Sequence, residues 1–314
     1  MTAAMVEAKL HDASTVAVEV QGRGPTVLLP VNPRPVEGPQ AEELRRWGAD
    51  PALGRSLIDG LSDAFRVVAV DYEGHVLQAP KADTLTPANL AADLLAVADA
   101  AGADRFAYYG YSWLALCGLQ LAIRTDRLSA LVMGGFPPVG GPYAEMLRVT
   151  TATHAMASSP RDTPPAPPAP REPSDELDWS QAEMTLSEPQ TRQFVTLYQA
   201  LQGFDDLAAQ PRVRCPRLCF VGSADTSTYD ERWGGVVVDM AGPVVARRAE
   251  LEALGWQVRV LEGLDHIKAM QAANVLPIVR PWLLDTLGGR APVSRARDPR
   301  SARPGTSTRR RRRG

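Results

Sequence analysis

Tyr108–Gly118 reads YYGYSWLALCG. A β-like apolar run, Arg105–Tyr109 (RFAYY), leads into it, and a helix-like segment, Trp113–Arg124, leads out. A serine on so sharp a strand-to-helix turn has its hydroxyl pushed out at the carboxyl edge of a sheet, where ligands of open α/β sheets bind. Gly110 suits the turn because a side chain there would meet neighbouring backbone. The helix start behind Ser112 offers N–H groups and the positive end of a dipole to a developing oxyanion, and Trp113 N–H is the first such donor. Serine is also an ordinary helix cap, so the stretch needs support from the rest of the chain.

That support begins with the order of elements. Thr15–Val20 and Thr26–Leu29 read as a pair of strands joined by a turn at Gly22–Pro25. Arg66–Val70 (RVVAV), Arg105–Tyr109 and Ala130–Met133 are further β-like runs. Between them, Ala88–Ala101 places Leu90, Leu94 and Ala98 on one helical face behind Pro87, a residue that a first turn tolerates. The alternation resumes with Leu218–Val221 as a strand, Pro243–Leu254 as a helix, Val258–Leu261 as a strand and Ile267–Leu287 as a final helix. Strand–helix–strand repeats of this kind predict an α/β fold with a mostly parallel central sheet flanked by helices.

The alternation breaks between Phe136 and Arg214. Pro160–Pro173 (PRDTPPAPPAPREP) can be neither helix nor inner strand, and helix-like pieces, Tyr143–Met156 and Gln190–Leu201, flank it. Because strands continue afterwards, the region reads as a helical insertion standing on the sheet of one domain; an interdomain linker is the alternative. The expected organisation is residues 1–136 and 215–289 as core, 137–214 as insertion and 290–314 as a tail.

The segments around the serine resemble the α/β-hydrolase superfamily. YYGYSWLALCG is similar to its nucleophile elbow, G-x-S-x-G, with Leu114 in place of the second glycine. The superfamily's chain order of serine, acid, histidine is met by CPRLCFVGSAD (Cys215–Asp225) and VRVLEGLDHIKAM (Val258–Met270). The resemblance implies Ser112 as nucleophile, Asp225 as orienting acid with Asp230 in reserve, and His266 as base; Asp225 could instead be a plain turn residue. PTVLLPVNPRP (Pro25–Pro35) is similar to the loop that carries the second oxyanion donor, with Pro30-Val31 where His-Gly is usual. Pro33 and Pro35 have no N–H, so Asn32 stands as that donor beside Trp113. DYEGH (Asp71–His75) resembles a D-x-x-G-x-G turn whose role is structural.

The implied chemistry is acyl transfer to Ser112 and hydrolysis of an ester, thioester or lactone of a small apolar molecule, with neither metal nor organic cofactor. A nucleophilic aspartate, as in haloalkane dehalogenases and epoxide hydrolases, does not stand at the elbow. The insertion stands where the superfamily carries a helical cap, so the resemblance implies such a cap here. Met146, Leu147, Val149, Met156, Phe194, Leu197 and Leu201 are candidates to line an apolar pocket under it. The altered Pro30-Val31 and Leu114 keep a second reading open: a ligand-binding, non-hydrolytic protein on the same fold.

Composition is that of an ordinary soluble globular protein with enough apolar residues for a sizeable core: 45% of residues are hydrophobic and 22% charged. No run reaches the ~18 apolar residues of a membrane span, and no basic flank with an apolar run opens the chain. Three cysteines, Cys117, Cys215 and Cys219, give no disulfide framework, which points to a reducing cytoplasm. Ten arginines and one acid give residues 290–314 a charge of +9, so the formal net of −2 leaves −11 on the remainder. Such a tail is expected to be disordered; either it is plainly solvated and irrelevant to the chemistry, or Arg309–Arg313 make weak electrostatic contact with nucleic acid or an anionic surface. The acidic body argues against nucleic acid as the substrate and for a small molecule.

Overall fold

The strand nearest the amino terminus belongs to a large sheet that the sequence pattern did not assign it to. The structure, a computed structural model, describes residues 3–159 and 185–288. Eight strands form that sheet: β1 (Ala4–Lys9), β2 (Thr15–Gln21), β3 (Thr26–Leu29), β4 (Arg66–Val70), β5 (Phe106–Tyr111), β6 (Leu128–Gly134), β7 (Arg217–Gly222) and β10 (Trp256–Leu261), in the order β1-β2-β4-β3-β5-β6-β7-β10. β1 and β2 are antiparallel additions at one edge, and the six others run parallel. A small hairpin, β8 (Thr226–Tyr229) with β9 (Val236–Asp239), stands apart. Residues of β5, β6 and β7 are almost all buried, as in strands covered on both faces.

Two helical layers provide that cover. On one face α4 (Pro87–Ala100) and α5 (Trp113–Ala122) bury Leu90, Leu94, Leu116 and Leu119 against Val68, Tyr108 and Leu131. On the other, α2 (Leu53–Leu61), which follows α1 (Gly38–Arg46), and α12 (Ala272–Gly288) bury Leu57, Ile58, Val275 and Val279 against Val27, Ala107 and Val132. Between β6 and β7 come α6 (Tyr143–Ser158), α7 (Glu188–Ala200) and the short α8 (Asp206–Ala209). The proline-rich stretch Pro160–Pro173 and the tail 290–314 lie outside the described residues.

Three expectations need correction. Thr15–Val20 and Thr26–Leu29 are strands but not partners, because β4 lies between them. Gly22 (φ 84°) is the cause: a Cβ there would stand 2.2 Å from the Phe65 carbonyl oxygen, so the connection runs tight under the start of β4 and cannot fold back on β2. The segment expected as one helix over Pro243–Leu254 is two, α9 (Ala241–Ala246) and α10 (Arg248–Ala253), broken at Arg247. The final helix is likewise preceded by a separate turn, α11 (His266–Ala269).

A buried polar cluster ties the edge hairpin to the centre. Lys81, its side chain inaccessible, places Nζ 2.5 Å from Asp12 Oδ2, 3.3 Å from Ser14 Oγ and 3.9 Å from Asp93 Oδ2. Burial raises the Asp12 carboxyl, but bonds from Lys81 and Ser14 outweigh that and leave it well below the usual carboxylate range. Asp93, fully buried, also accepts from the Tyr72 hydroxyl (2.9 Å) and the His11 backbone (2.8 Å), and meets His11 Nδ1 at 2.9 Å. The backbone beside Lys81 docks α7: Lys81 N–H donates to Gln193 Oε1 (3.0 Å), Gln193 Nε2 to the Val76 carbonyl (3.0 Å) and Thr196 Oγ1 to the Ala82 carbonyl (2.6 Å). Removing one partner of a buried ionic cluster leaves the others desolvated and unpaired. Asp93→Ala should therefore cost about 3–5 kcal/mol of stability, read as a lower urea midpoint at unchanged slope; a cost under about 1 kcal/mol would contradict this account of the cluster.

Candidate active site

Ser112 sits between β5 and α5 at φ 57°, ψ −133°; among the described residues only Ala13 is another non-glycine with positive φ. A conformation of this kind costs on the order of 1–3 kcal/mol, so the surroundings must hold it. Ser112 N–H donates to the Gly134 carbonyl (2.8 Å), while Ala115 N–H (2.8 Å) and Leu116 N–H (3.3 Å) close the first helical turn on the Ser112 carbonyl. Gly110 is required as its sequence context suggests, since a Cβ there would lie 2.3 Å from the Leu114 carbonyl oxygen. The missing glycine at Leu114 is answered one turn later. Gly118 lets α5 lie against the Tyr108 ring, which a Cβ would approach to 2.5 Å, and the Tyr108 hydroxyl donates to the Leu114 carbonyl at 2.7 Å.

The candidate acid and base come from two loops at the carboxyl ends of β7 and β10. Gly222 makes their approach possible, for a Cβ on it would stand 2.0 Å from the Leu264 carbonyl oxygen. Ser223 N–H donates to the Leu261 carbonyl (2.9 Å), Ala224 N–H to the Leu264 carbonyl (3.1 Å), and Gly263 N–H to Ser223 Oγ (2.8 Å). Asp265 caps α11 by accepting from Lys268 N–H at 2.8 Å, which fixes the start of the turn bearing His266. His266 Nδ1 then lies 2.8 Å from Asp225 Oδ2 and 2.9 Å from Oδ1. Asp225 is buried, and its carbonyl accepts from Met240 and Ala241 N–H, so the β8–β9 hairpin clamps it at both ends.

Tyr111, which the sequence reading passed over, links the two halves. Its hydroxyl donates to the His266 carbonyl at 2.8 Å and its ring centroid stands 5.0 Å from the imidazole, one residue before Ser112. The Ser112 hydroxyl hydrogen-bonds to none of the described residues, His266 included; contacts of this kind tighten when substrate binds. Asp230, the reserve acid, is exposed and caps a 3₁₀ turn through Arg232 N–H (3.0 Å). The other histidines are engaged elsewhere: His11 with Asp93, His75 with Ser14 (3.0 Å) and His154 with Thr191 (3.2 Å).

The two expected oxyanion donors are differently placed. Trp113 N–H opens α5 and bonds to no described residue. Asn32 turns its side-chain oxygen to Arg34 N–H (2.9 Å), leaving its own N–H without a partner among the described residues. Gly54 holds that loop in place, as a Cβ there would fall 1.9 Å from the Asn32 carbonyl oxygen. The DYEGH turn is structural in part: Asp71 caps α3 (Tyr72–Gln78) through Gly74 N–H at 2.9 Å. Glu73, however, reaches the elbow, where its Oε1 accepts from Trp113 Nε1 at 3.0 Å. Of the residues expected to line a pocket, Val149, Leu197 and Leu201 are buried in the main core instead, whereas the Phe194 ring meets Trp113 edge-on at 5.4 Å.

Two other features carry none of this chemistry. A recess of about 720 Å³, lined by Thr26, Arg105, Ser129 and Pro216, opens at the amino edge of the sheet and holds none of the candidate residues. Among the described residues no three His, Cys, Asp or Glu side chains group as metal ligands, and Cys117, Cys215 and Cys219 are unpaired. No helix among them is long and apolar enough to cross a membrane.

Solved structures share this architecture. The enol-lactonase from Burkholderia xenovorans LB400 is 19% identical, with a TM-score of 0.56 over 90% of this chain and 99% of that one. The epoxide hydrolase VrEH1 from Vigna radiata is 16% identical (TM-score 0.54; 90% and 98%), and a thermophilic esterase from Thermogutta terrifontis is 17% identical (0.52; 91% and 100%). No protein-family model matches the sequence, and no curated protein does. The chain has the α/β-hydrolase fold.

Tyr111→Phe removes the tether on the His266 backbone but keeps the ring. A single hydrogen bond of about 1 kcal/mol corresponds to a few-fold change, so kcat of any turnover that uses His266 should fall about three- to tenfold with KM little altered. An unchanged kcat would show that Tyr111 does not position His266.

Proposed function

We propose that the protein is a serine hydrolase that cleaves an ester, thioester or lactone of a small apolar molecule through an acyl-Ser112 intermediate. The observation that carries the reading is the bonded pair of buried Asp225 and His266, joined through Tyr111 to a serine held in a strained turn. A proton on Nδ1, donated to the carboxylate, leaves Nε2 free to take the proton of Ser112 as its oxygen attacks the carbonyl carbon. Asp225 then stabilises the imidazolium, which returns its proton to the leaving alcohol, thiol or lactone oxygen. Trp113 N–H faces the oxyanion, with Asn32 N–H as second donor. Water, deprotonated by His266, cleaves the acyl-enzyme.

Several features support an acyl-enzyme over the alkyl-enzyme chemistry of epoxide opening. Serine rather than aspartate stands at the elbow, and a serine alkyl ether has no carbonyl for water to attack. We propose further that residues 137–214 act as a cap: α7 brings Phe194 onto the ring of Trp113, beside the nucleophile. Pro30-Val31 and the unengaged Ser112 hydroxyl favour a second reading, a binding protein on this fold with no turnover. Sustained release of p-nitrophenol from a short-chain ester, in excess over protein, separates the two.

Ser112→Ala should abolish that release and leave the thermal transition within a few degrees; residual turnover above about a tenth of the parent would remove Ser112 as nucleophile. Asp225→Asn should lower kcat by roughly 10⁴, the effect known for a triad acid, while Asp230→Asn changes it less than about threefold. Reversed effects would move the acid to Asp230.

A further inference from the structure

We infer that Glu73 is a specificity-determining residue whose carboxylate, held by the Trp113 indole, binds an ammonium group on the substrate. The inference rests on Ser112 marking the substrate site. Glu73 belongs to the first turn of α3, and its anchor Trp113 directly follows the nucleophile. The Trp113 ring lies 6.2 Å from that of Tyr72 and 5.4 Å edge-on from that of Phe194, so the carboxylate sits where α3, the elbow and α7 converge. It keeps access to solvent there, yet burial of its surroundings pushes the carboxyl above its ordinary value. The two properties together describe a group in a recess rather than on an outer face.

The Trp113 bond opposes this rise and Asp71 adds to it. No ion pair among the described residues includes Glu73. A carboxylate that its surroundings partly desolvate is costly without a counter-ion, and one indole N–H occupies one of its roughly four acceptor positions. An ammonium supplies both the missing charge and the remaining donors, in charge-assisted bonds. A glutamine would serve the indole equally well as an acceptor, so the structural bond does not account for the charge. The same charge, next to Asp71, repels substrates that carry a carboxylate.

Binding of ω-amino alcohols of three to eight carbons, each against the neutral n-alcohol in which a methyl replaces the ammonium, tests this by calorimetry at about pH 8, where amine and carboxyl are both charged. Glu73 should give the ammonium ligand an advantage of about tenfold or more at the best chain length. Glu73→Gln should abolish that advantage, and Glu73→Asp should keep it while moving the optimum to a longer chain. A preference under about twofold throughout the parent series, or one that survives in Glu73→Gln, would overturn the inference. Because binding is read without turnover, a protein that prefers the ammonium ligands but cleaves no ester would refute the hydrolase reading alone. One that cleaves neutral esters without the preference would refute this inference alone.

Discussion

The turn at Ser112 is the constraint on which the site depends. A serine at φ 57° and ψ −133° persists only where the sheet on one side and the helix on the other leave it no alternative. Here the sheet supplies the Gly134 carbonyl, the helix closes on the Ser112 carbonyl, and Gly110 removes the one side chain that would collide with Leu114. The turn leaves Ser112 partly exposed. It also places Trp113 N–H at the first position of the helix, where it has no internal partner. The proposed nucleophile and oxyanion donor are thus consequences of one backbone conformation.

Close backbone approach does the same for the other half of the site. Asp225 and His266 are 41 residues apart, and what brings them together is the pressing of the β7 end onto the Leu264 carbonyl, which only glycine at 222 allows. The β8–β9 hairpin and the Asp265 cap then fix each loop internally. The two halves meet at Tyr111, bonded to the His266 backbone and chained to Ser112. The Lys81–Asp93–Asp12 cluster extends this order outward, since the backbone at Lys81 also holds α7, and α7 carries Phe194 to Trp113.

How much of this the sequence disclosed follows from the range of each interaction. The inner strands were legible because burial on both faces leaves continuous apolar runs, and Ser112, Asp225 and His266 stood out as candidates because each lies at a strand's carboxyl end in a telling order. β1 was not: its residues are mostly exposed, and its place depends on pairing with β2. The supposed hairpin failed for a related reason, since Gly22 marks a turn in sequence but contacts Phe65, far along the chain. Gly54 and Gly222 act through contacts with distant backbone and Gly118 through contact with the Tyr108 ring, none of which a local pattern encodes. Tyr111 and Glu73 were missed because their partners, His266 and Trp113, become neighbours only in the folded chain. Leu114, conversely, departs from the elbow pattern only locally, because Gly118 provides the close approach one turn on.

The claim at the centre of this account is that Ser112 is a nucleophile activated by His266. Peptide mapping by mass spectrometry after treatment with a fluorophosphonate tests it most directly, because the probe phosphonylates a serine only where a base has raised its reactivity. The account predicts one adduct per chain, on Ser112, formed in the parent protein and slowed by at least about a hundredfold in His266→Ala. Absence of an adduct, an adduct on another serine, or equal labelling of Ser112 in His266→Ala would contradict it.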